Sequence, residues 1–164
     1  MKMTNLVSYE QPSFVEYLNS GWQISLCVAI DYTLSNGEPH SAFSLHSLRG
    51  NNQYLMAIDS VGRVLEPYDS DRSFPVFGFG GINPLSGQTS HCFPINGKPD
   101  NPEVFGVDGI IEAYKSSLRT VQLSGPTYFS PLLAQYLGYV QQFTDTNQYQ
   151  VLLILTDGEI FDMD

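Results

Sequence analysis

The chain has 164 residues, about one domain's worth, and its 42% hydrophobic and 13% aromatic content is ample for a packed core. Seven Lys and Arg against seventeen Asp and Glu give a formal net charge of −10, which argues against an electrostatic nucleic-acid binder and against docking on anionic lipid through bulk charge. No run approaches the roughly 18–20 apolar residues of a membrane span, no basic-then-apolar leader opens the sequence, and two cysteines make neither a disulfide framework nor a zinc cluster, so a cytoplasmic domain is expected.

Residues 1–20 read as a polar lead-in with one short helical turn around Phe14–Leu18, and 21–164 as the domain proper. Trp22–Ile30 has at its centre a near-continuous apolar run that stops at Asp31, which suits a strand buried on both faces. From Asn51 to Leu65, Tyr54, Leu55, Ile58, Val61 and Leu65 recur at helical spacing. Phe74–Gly80 reads as a second strand, with Pro75 near its start where a missing donor is tolerated. Residues 81–103 are rich in Gly, Pro, Asn and Ser, and predict a long loop or an irregular hairpin with a short strand near His91-Cys92-Phe93. Helical period returns over Val107–Val121, then again after Ser130-Pro131, which looks like an N-cap and a first-turn proline, through Leu132, Leu133, Tyr136, Leu137 and Val140. Tyr149–Thr156 is a further buried strand, ending at Asp157. The alternation predicts an α/β fold: a Rossmann-like open, mostly parallel sheet flanked by helices.

Ligands of such sheets bind beyond the carboxyl ends of the strands. Two strands here end in polar groups at that place: Asp31 followed by Thr33 and Ser35, and Thr156-Asp157-Gly158. Gly125-Pro126-Thr127 presents another hydroxyl just ahead of a helix. Each piece alone reads as an ordinary turn or loop. Together, two carboxylates and three hydroxyls suit a hard divalent cation with oxygen ligands.

These residues resemble the metal-ion-dependent adhesion site of a von Willebrand factor type A domain. The text between them narrows the resemblance to the copines: Ala29-Ile30-Asp31-Tyr32-Thr33-Leu34-Ser35-Asn36-Gly37, Tyr68-Asp69-Ser70-Asp71-Arg72, Phe77-Gly78-Phe79-Gly80, Asp108–Tyr114 and Ser117–Val121. It runs from about Phe14 to the last residue. The resemblance implies Thr33, Ser35 and Thr127 as direct hydroxyl ligands, with Asp31 and Asp157 acting mainly through bound water. It further implies Mg2+ as the cation, with Mn2+ or Ca2+ as alternatives, and an open position for an Asp or Glu from a protein partner. Copines carry C2 domains that bind calcium and phospholipid, for which these residues leave no room; membrane contact is therefore expected only indirectly, through recruitment of a full-length copine to the plasma membrane. A full domain of this type continues past the Asp157 strand, so the domain is expected to lack its last strands and helices, leaving Val151–Thr156 as a sheet edge.

Other features read as structural. His40, His46 and His91 are expected in loops or on the surface, Cys27 as an inert core thiol and Cys92 as more exposed. Asp69-Ser70-Asp71 resembles part of a calcium loop but lacks its glycine and distal glutamate, and is expected to be a solvated turn. The glycines of Phe77-Gly78-Phe79-Gly80-Gly81 read as close-packing positions beside the metal loops rather than a dinucleotide site. The leading functional reading is a non-enzymatic binding module. The alternatives are a magnesium-dependent phosphohydrolase or phosphotransferase, disfavoured because Thr33 stands where a second acid is needed, and a copine-like domain of the kind found in ubiquitin ligases, disfavoured because the loop text fits less well and RING cysteines are missing.

Overall fold

A computed structural model describes residues 11–162. In chain order the elements are α1 (Phe14–Asn19), β1 (Gln23–Asp31), α2 (Gln53–Leu65), β2 (Ser73–Phe79), β3 (Gly81–Asn83), β4 (Gln88–Ser90), β5 (Phe93–Pro94), β6 (Glu103–Phe105), α3 (Gly106–Ser117), β7 (Gln122–Leu123), α4 (Ser130–Val140) and β8 (Gln148–Leu155). The central sheet runs β5-β2-β1-β8, with β6 also pairing to β2. β1 lies parallel to both β2 and β8, whereas the short β5 and β6 are antiparallel to β2. This is the mixed α/β, mostly parallel arrangement of a von Willebrand factor A-like fold. A small second sheet, β4-β3-β7, holds part of the irregular 81–103 region.

Both faces of the sheet are covered, which is why its strands are apolar at successive positions. Leu26, Val28 and Ile30 of β1, Phe74 and Val76 of β2 and Leu155 of β8 point to one face, where α2 and α3 supply Tyr54, Ile58, Val107, Ile110 and Tyr114. Cys27, Ala29, Phe77 and Phe79 point to the other, a smaller core closed by Leu132 of α4. β8 is the outer strand of the sheet among the described residues, and most of its side chains are only half-buried. It is therefore not the fully buried strand that its composition suggests.

Several local expectations are refined. α1 begins with a capping box: the Ser13 hydroxyl accepts from the Glu16 amide while the Glu16 carboxylate accepts from the Ser13 amide at 2.6 Å. In α2 the buried residues are Tyr54, Ile58 and Gly62, and Val61 is 36% exposed, because Gly62 lets Val107 of α3 approach; a Cβ at Gly62 would lie 2.8 Å from the Val107 side chain. α3 ends at Ser117, and residues 118–121 form turns back onto it. Ser130 is not the N-cap of α4 but its first residue. The cap is remote: the Asp162 carboxylate accepts from the amides of Phe129 at 2.9 Å and Ser130 at 2.7 Å.

Two polar residues expected at the surface are buried. His46 is 0% exposed, packed between the rings of Tyr32, Tyr54 and Tyr114, with Nδ1 at 2.8 Å from the Tyr114 hydroxyl. Burial lowers its pKa to about 4, so it sits neutral in the core. Asp69 is 6% exposed, so the solvated-turn reading fails for this residue: Oδ1 accepts from the Arg72 amide and Oδ2 has no hydrogen-bond partner. Burial first, and the neighbouring Asp71 carboxylate second, raise its pKa to about 6. The folded state thus holds this proton more tightly than the unfolded chain. That contribution is complete below pH 3.8 and is lost as pH rises through about 6. Asp69→Asn retains the acceptor for the Arg72 amide and replaces the unpartnered carboxyl oxygen with a neutral amide group. It is expected to raise the thermal midpoint at pH 7 and to leave it unchanged near pH 3.5; equal shifts at both pH values in thermal scans would reject the assignment.

Candidate metal centre

The site is assembled at the carboxyl edge of the sheet by backbone pairing. β1 and β8 run in register up to Ile30 opposite Leu155, which sets Asp31 abreast of Thr156. Past Asp31 the chain leaves the sheet and is caught by the segment after β7. The Ser124 amide donates to the Tyr32 carbonyl at 3.1 Å, and the Leu34 amide to the Ser124 carbonyl at 2.8 Å. That parallel bridge carries Gly125-Pro126-Thr127 to the Asp31 loop from 94 residues further along the chain. The Phe161 amide then donates to the Thr127 carbonyl at 3.0 Å, which holds the strand-end segment 156–162 against the same turn.

The side chains converge on one carboxylate. Asp31 Oδ1 accepts from the Thr33 amide at 2.8 Å and from the Thr33 hydroxyl at 2.7 Å, and Oδ2 accepts from the Thr156 hydroxyl at 2.8 Å. Thr33 Oγ1 lies 2.9 Å from Ser35 Oγ and 3.4 Å from Thr127 Oγ1, which donates to it. Asp31, Thr33 and Thr127 are buried, whereas Ser35 and Asp157 face solvent, so the cluster opens outward on one side. Burial is the largest influence on Asp31 and raises its pKa; the Thr33 and Thr156 hydrogen bonds oppose it, and the Asp157 charge adds to it.

The close approach depends on Gly80. It has φ +74°, and a Cβ there would fall 2.4 Å from Thr33 Cγ2. Gly78 and Gly81 are crowded too, with a Cβ at 2.7 Å from the Phe93 ring and at 2.8 Å from Val121 respectively. The close-packing reading of this glycine run therefore holds. The two thiols behave as expected: Cys27 is buried and Cys92 half-buried, and burial pushes both up, Cys92 to about 11, so neither is an activated nucleophile.

Of the five residues singled out in the sequence, Asp31, Thr33, Ser35 and Thr127 lie in one hydrogen-bonded cluster. Asp157 is adjacent in the chain to Thr156, a member of that cluster, and its own carboxylate makes no hydrogen bond to the other four. Thr156 was legible only as part of the strand-ending motif. Sequence spacing marks neither Asn36 nor Tyr54 as part of the site, yet Asn36 Nδ2 donates to the Thr33 carbonyl at 3.2 Å and to its hydroxyl oxygen at 3.0 Å, and the Tyr54 hydroxyl donates to Asn36 Oδ1. Burial, then the Asp31 and Asp157 charges, push the Tyr54 phenol upward, so it stays a donor. An asparagine three residues after Thr33, in the loop that follows Asp31, was the available signal.

The donor set fits a hard cation. Among the described residues no three His, Cys, Asp or Glu side chains gather to hold a metal, so an ion here would rest on hydroxyl oxygens as well as on two carboxylates. Such a set suits Mg2+, Mn2+ or Ca2+ and not a soft, thiolate-seeking metal. Among the described residues no helix is long and apolar enough to cross a membrane. The copine family model matches residues 44–164, more than half of the chain, and this span includes Thr127, Thr156 and Asp157 while the Asp31–Asn36 loop precedes it. With its α/β sheet and its matched sequence, the chain belongs to the copine family.

Proposed function

We propose that the domain is a metal-dependent protein-interaction module, in which a divalent cation at the Asp31 cluster completes its coordination with an Asp or Glu side chain of a protein partner. Thr33, Ser35 and Thr127 would hold the ion directly, and Asp31 and Asp157 would supply two negative charges that roughly neutralise it. The ion would supply the attraction for a carboxylate that this acidic chain, at −10, otherwise repels. The observation that carries the reading is the meeting of Thr127 Oγ1 with Thr33 Oγ1 beside the Asp31 carboxylate, from loops far apart in sequence. Mg2+ is the preferred cation because the hydroxyl-rich set is compact. The calcium-dependent phospholipid binding of the parent family is assigned to C2 domains, and recruitment from the cytoplasm to the plasma membrane would be theirs.

Binding, rather than phosphoryl transfer, is supported by the chemistry around Asp31. Its near neighbours are hydroxyls, position 33 is a threonine where a second acid would be needed, and among the described residues no Lys or Arg side chain hydrogen-bonds to the cluster. The test is titration of the chain with MgCl2 and MnCl2 by calorimetry, then with an acidic peptide in the presence of the ion, alongside a p-nitrophenyl phosphate assay. Ion-dependent peptide binding without turnover is expected; turnover, or binding indifferent to chelator, would overturn the reading. Thr127→Ala is expected to weaken the acidic peptide more than the free ion, by about 1–3 kcal/mol, the scale of one polar partner left unmatched. Equal losses would make Thr127 a plain structural ligand.

A further inference from the structure

The Thr33 hydroxyl has one proton and two lone pairs. Its proton goes to Asp31 Oδ1 at 2.7 Å, and one lone pair accepts from Asn36 Nδ2 at 3.0 Å. The other lone pair lies on the side of the remaining hydroxyls: Ser35 Oγ is at 2.9 Å, and Thr127 Oγ1 donates from 3.4 Å. The Asn36 carboxamide has a single workable orientation. The Thr33 backbone carbonyl only accepts, so the end at 3.2 Å from it is the nitrogen; the oxygen end takes the Tyr54 hydroxyl. Asn36 and Tyr54 are buried, at 2% and 5% exposure, and every polar group of Asn36 that could rotate is held from both sides.

The geometry points to Asn36 and Tyr54 as positioning residues for the metal centre: together they fix the rotamer of Thr33 and keep its remaining lone pair on the side of the Ser35 and Thr127 hydroxyls, where an ion held by all three would take the place of the hydrogen bonds among them. Resting on the cation-binding reading above, the inference adds that ion affinity and ion choice are set partly from α2, on which Tyr54 sits, and not by the ligand loops alone. Outer hydrogen bonds of this kind orient ligands in metal sites generally. Their importance depends on the ion. Mg2+ demands near-ideal geometry at short distance, whereas Ca2+ takes more oxygens in a looser shell and tolerates a displaced hydroxyl.

The test is Tyr54→Phe, which deletes one hydroxyl, titrated in the full chain with MgCl2 and with CaCl2 and unfolded thermally without added ion. Mg2+ affinity is expected to fall about tenfold, the lower end of the usual effect of an outer hydrogen-bond partner, with Ca2+ affinity changed less than about threefold. A purely structural role would weaken both ions in proportion to the loss of thermal midpoint, and that outcome overturns the inference, as does an unchanged Mg2+ affinity. Should Tyr54→Phe not fold, Asn36→Ser is read in the same two titrations with the same expectations. Asp31→Asn separates the two levels of the argument. If the wild type binds ions and Asp31→Asn does not, a silent Tyr54→Phe rejects only the positioning role; a wild type that binds neither ion rejects both.

Discussion

Asp31→Asn is expected to lose divalent-cation binding by a hundredfold or more while its thermal midpoint at pH 7 equals or exceeds that of the wild type. The two effects have opposite signs for one reason. Asp31 is fully buried and burial raises its pKa, so holding it as a carboxylate costs the ion-free protein stability. Asparagine removes that cost and still accepts from the Thr33 amide through Oδ1. The same charge is what the ion needs, since one unit charge at about 4 Å is worth roughly 4 kcal/mol at a near-surface dielectric, and more against a divalent ion. Calorimetry with MgCl2 and a thermal scan in chelator measure both quantities. A variant that binds as the wild type does would remove Asp31 from the metal centre. One that loses binding only by unfolding would show that the carboxylate holds the loop together and says nothing of charge.

That pairing of burial with charge was partly legible in the sequence. A strand that is apolar until it stops at an acid predicts an aspartate at the sheet edge, and the alternation of strands and helices predicts the side of the sheet on which it lies. The doubly covered sheet was likewise visible, because Leu26, Val28 and Ile30 alternate with Cys27 and Ala29 and all are apolar. What the sequence concealed was long-range polar pairing. Nothing in local spacing marks His46 as the residue that fills the space between three tyrosines, nor Asp162 as the cap of a helix that begins more than thirty residues earlier. Asn36 looked like part of a turn signal beside Gly37, and only the packing of α2 turns it into the partner of Tyr54. Helical spacing puts Val61 in the buried stripe of α2, where the structure leaves it exposed, for a related reason. A glycine contributes nothing to a hydrophobic pattern, yet Gly62 is where α3 makes its approach.

Gly80→Ala is expected to destabilise the protein by about 2–5 kcal/mol and to disturb ion binding with it. Two costs add. The residue has φ +74°, where a non-glycine residue loses about 1–2 kcal/mol, and its Cβ would stand 2.4 Å from Thr33 Cγ2, an overpacking typically worth about 1–3 kcal/mol. Neither side yields easily. The Gly80 amide is tied to the Ser90 carbonyl at 2.9 Å, which fixes the turn from β2 into β3. On the other side Thr33 cannot rotate its methyl away without also swinging Oγ1 off Asp31 Oδ1 and off Asn36. The clash is therefore relieved either by moving the strand or by dismantling the metal centre. A second substitution separates the steric cost from the backbone cost. Thr33→Ser keeps the hydroxyl and deletes the methyl that would collide, so in its background Gly80→Ala should cost only the left-handed backbone penalty. The coupling in the double-mutant cycle, read by denaturant unfolding, should be about 1–3 kcal/mol in the rescuing direction, with Mg2+ affinity recovering in step. Additive losses would place the strain of Gly80→Ala elsewhere, and would detach this glycine from the geometry of the ion site.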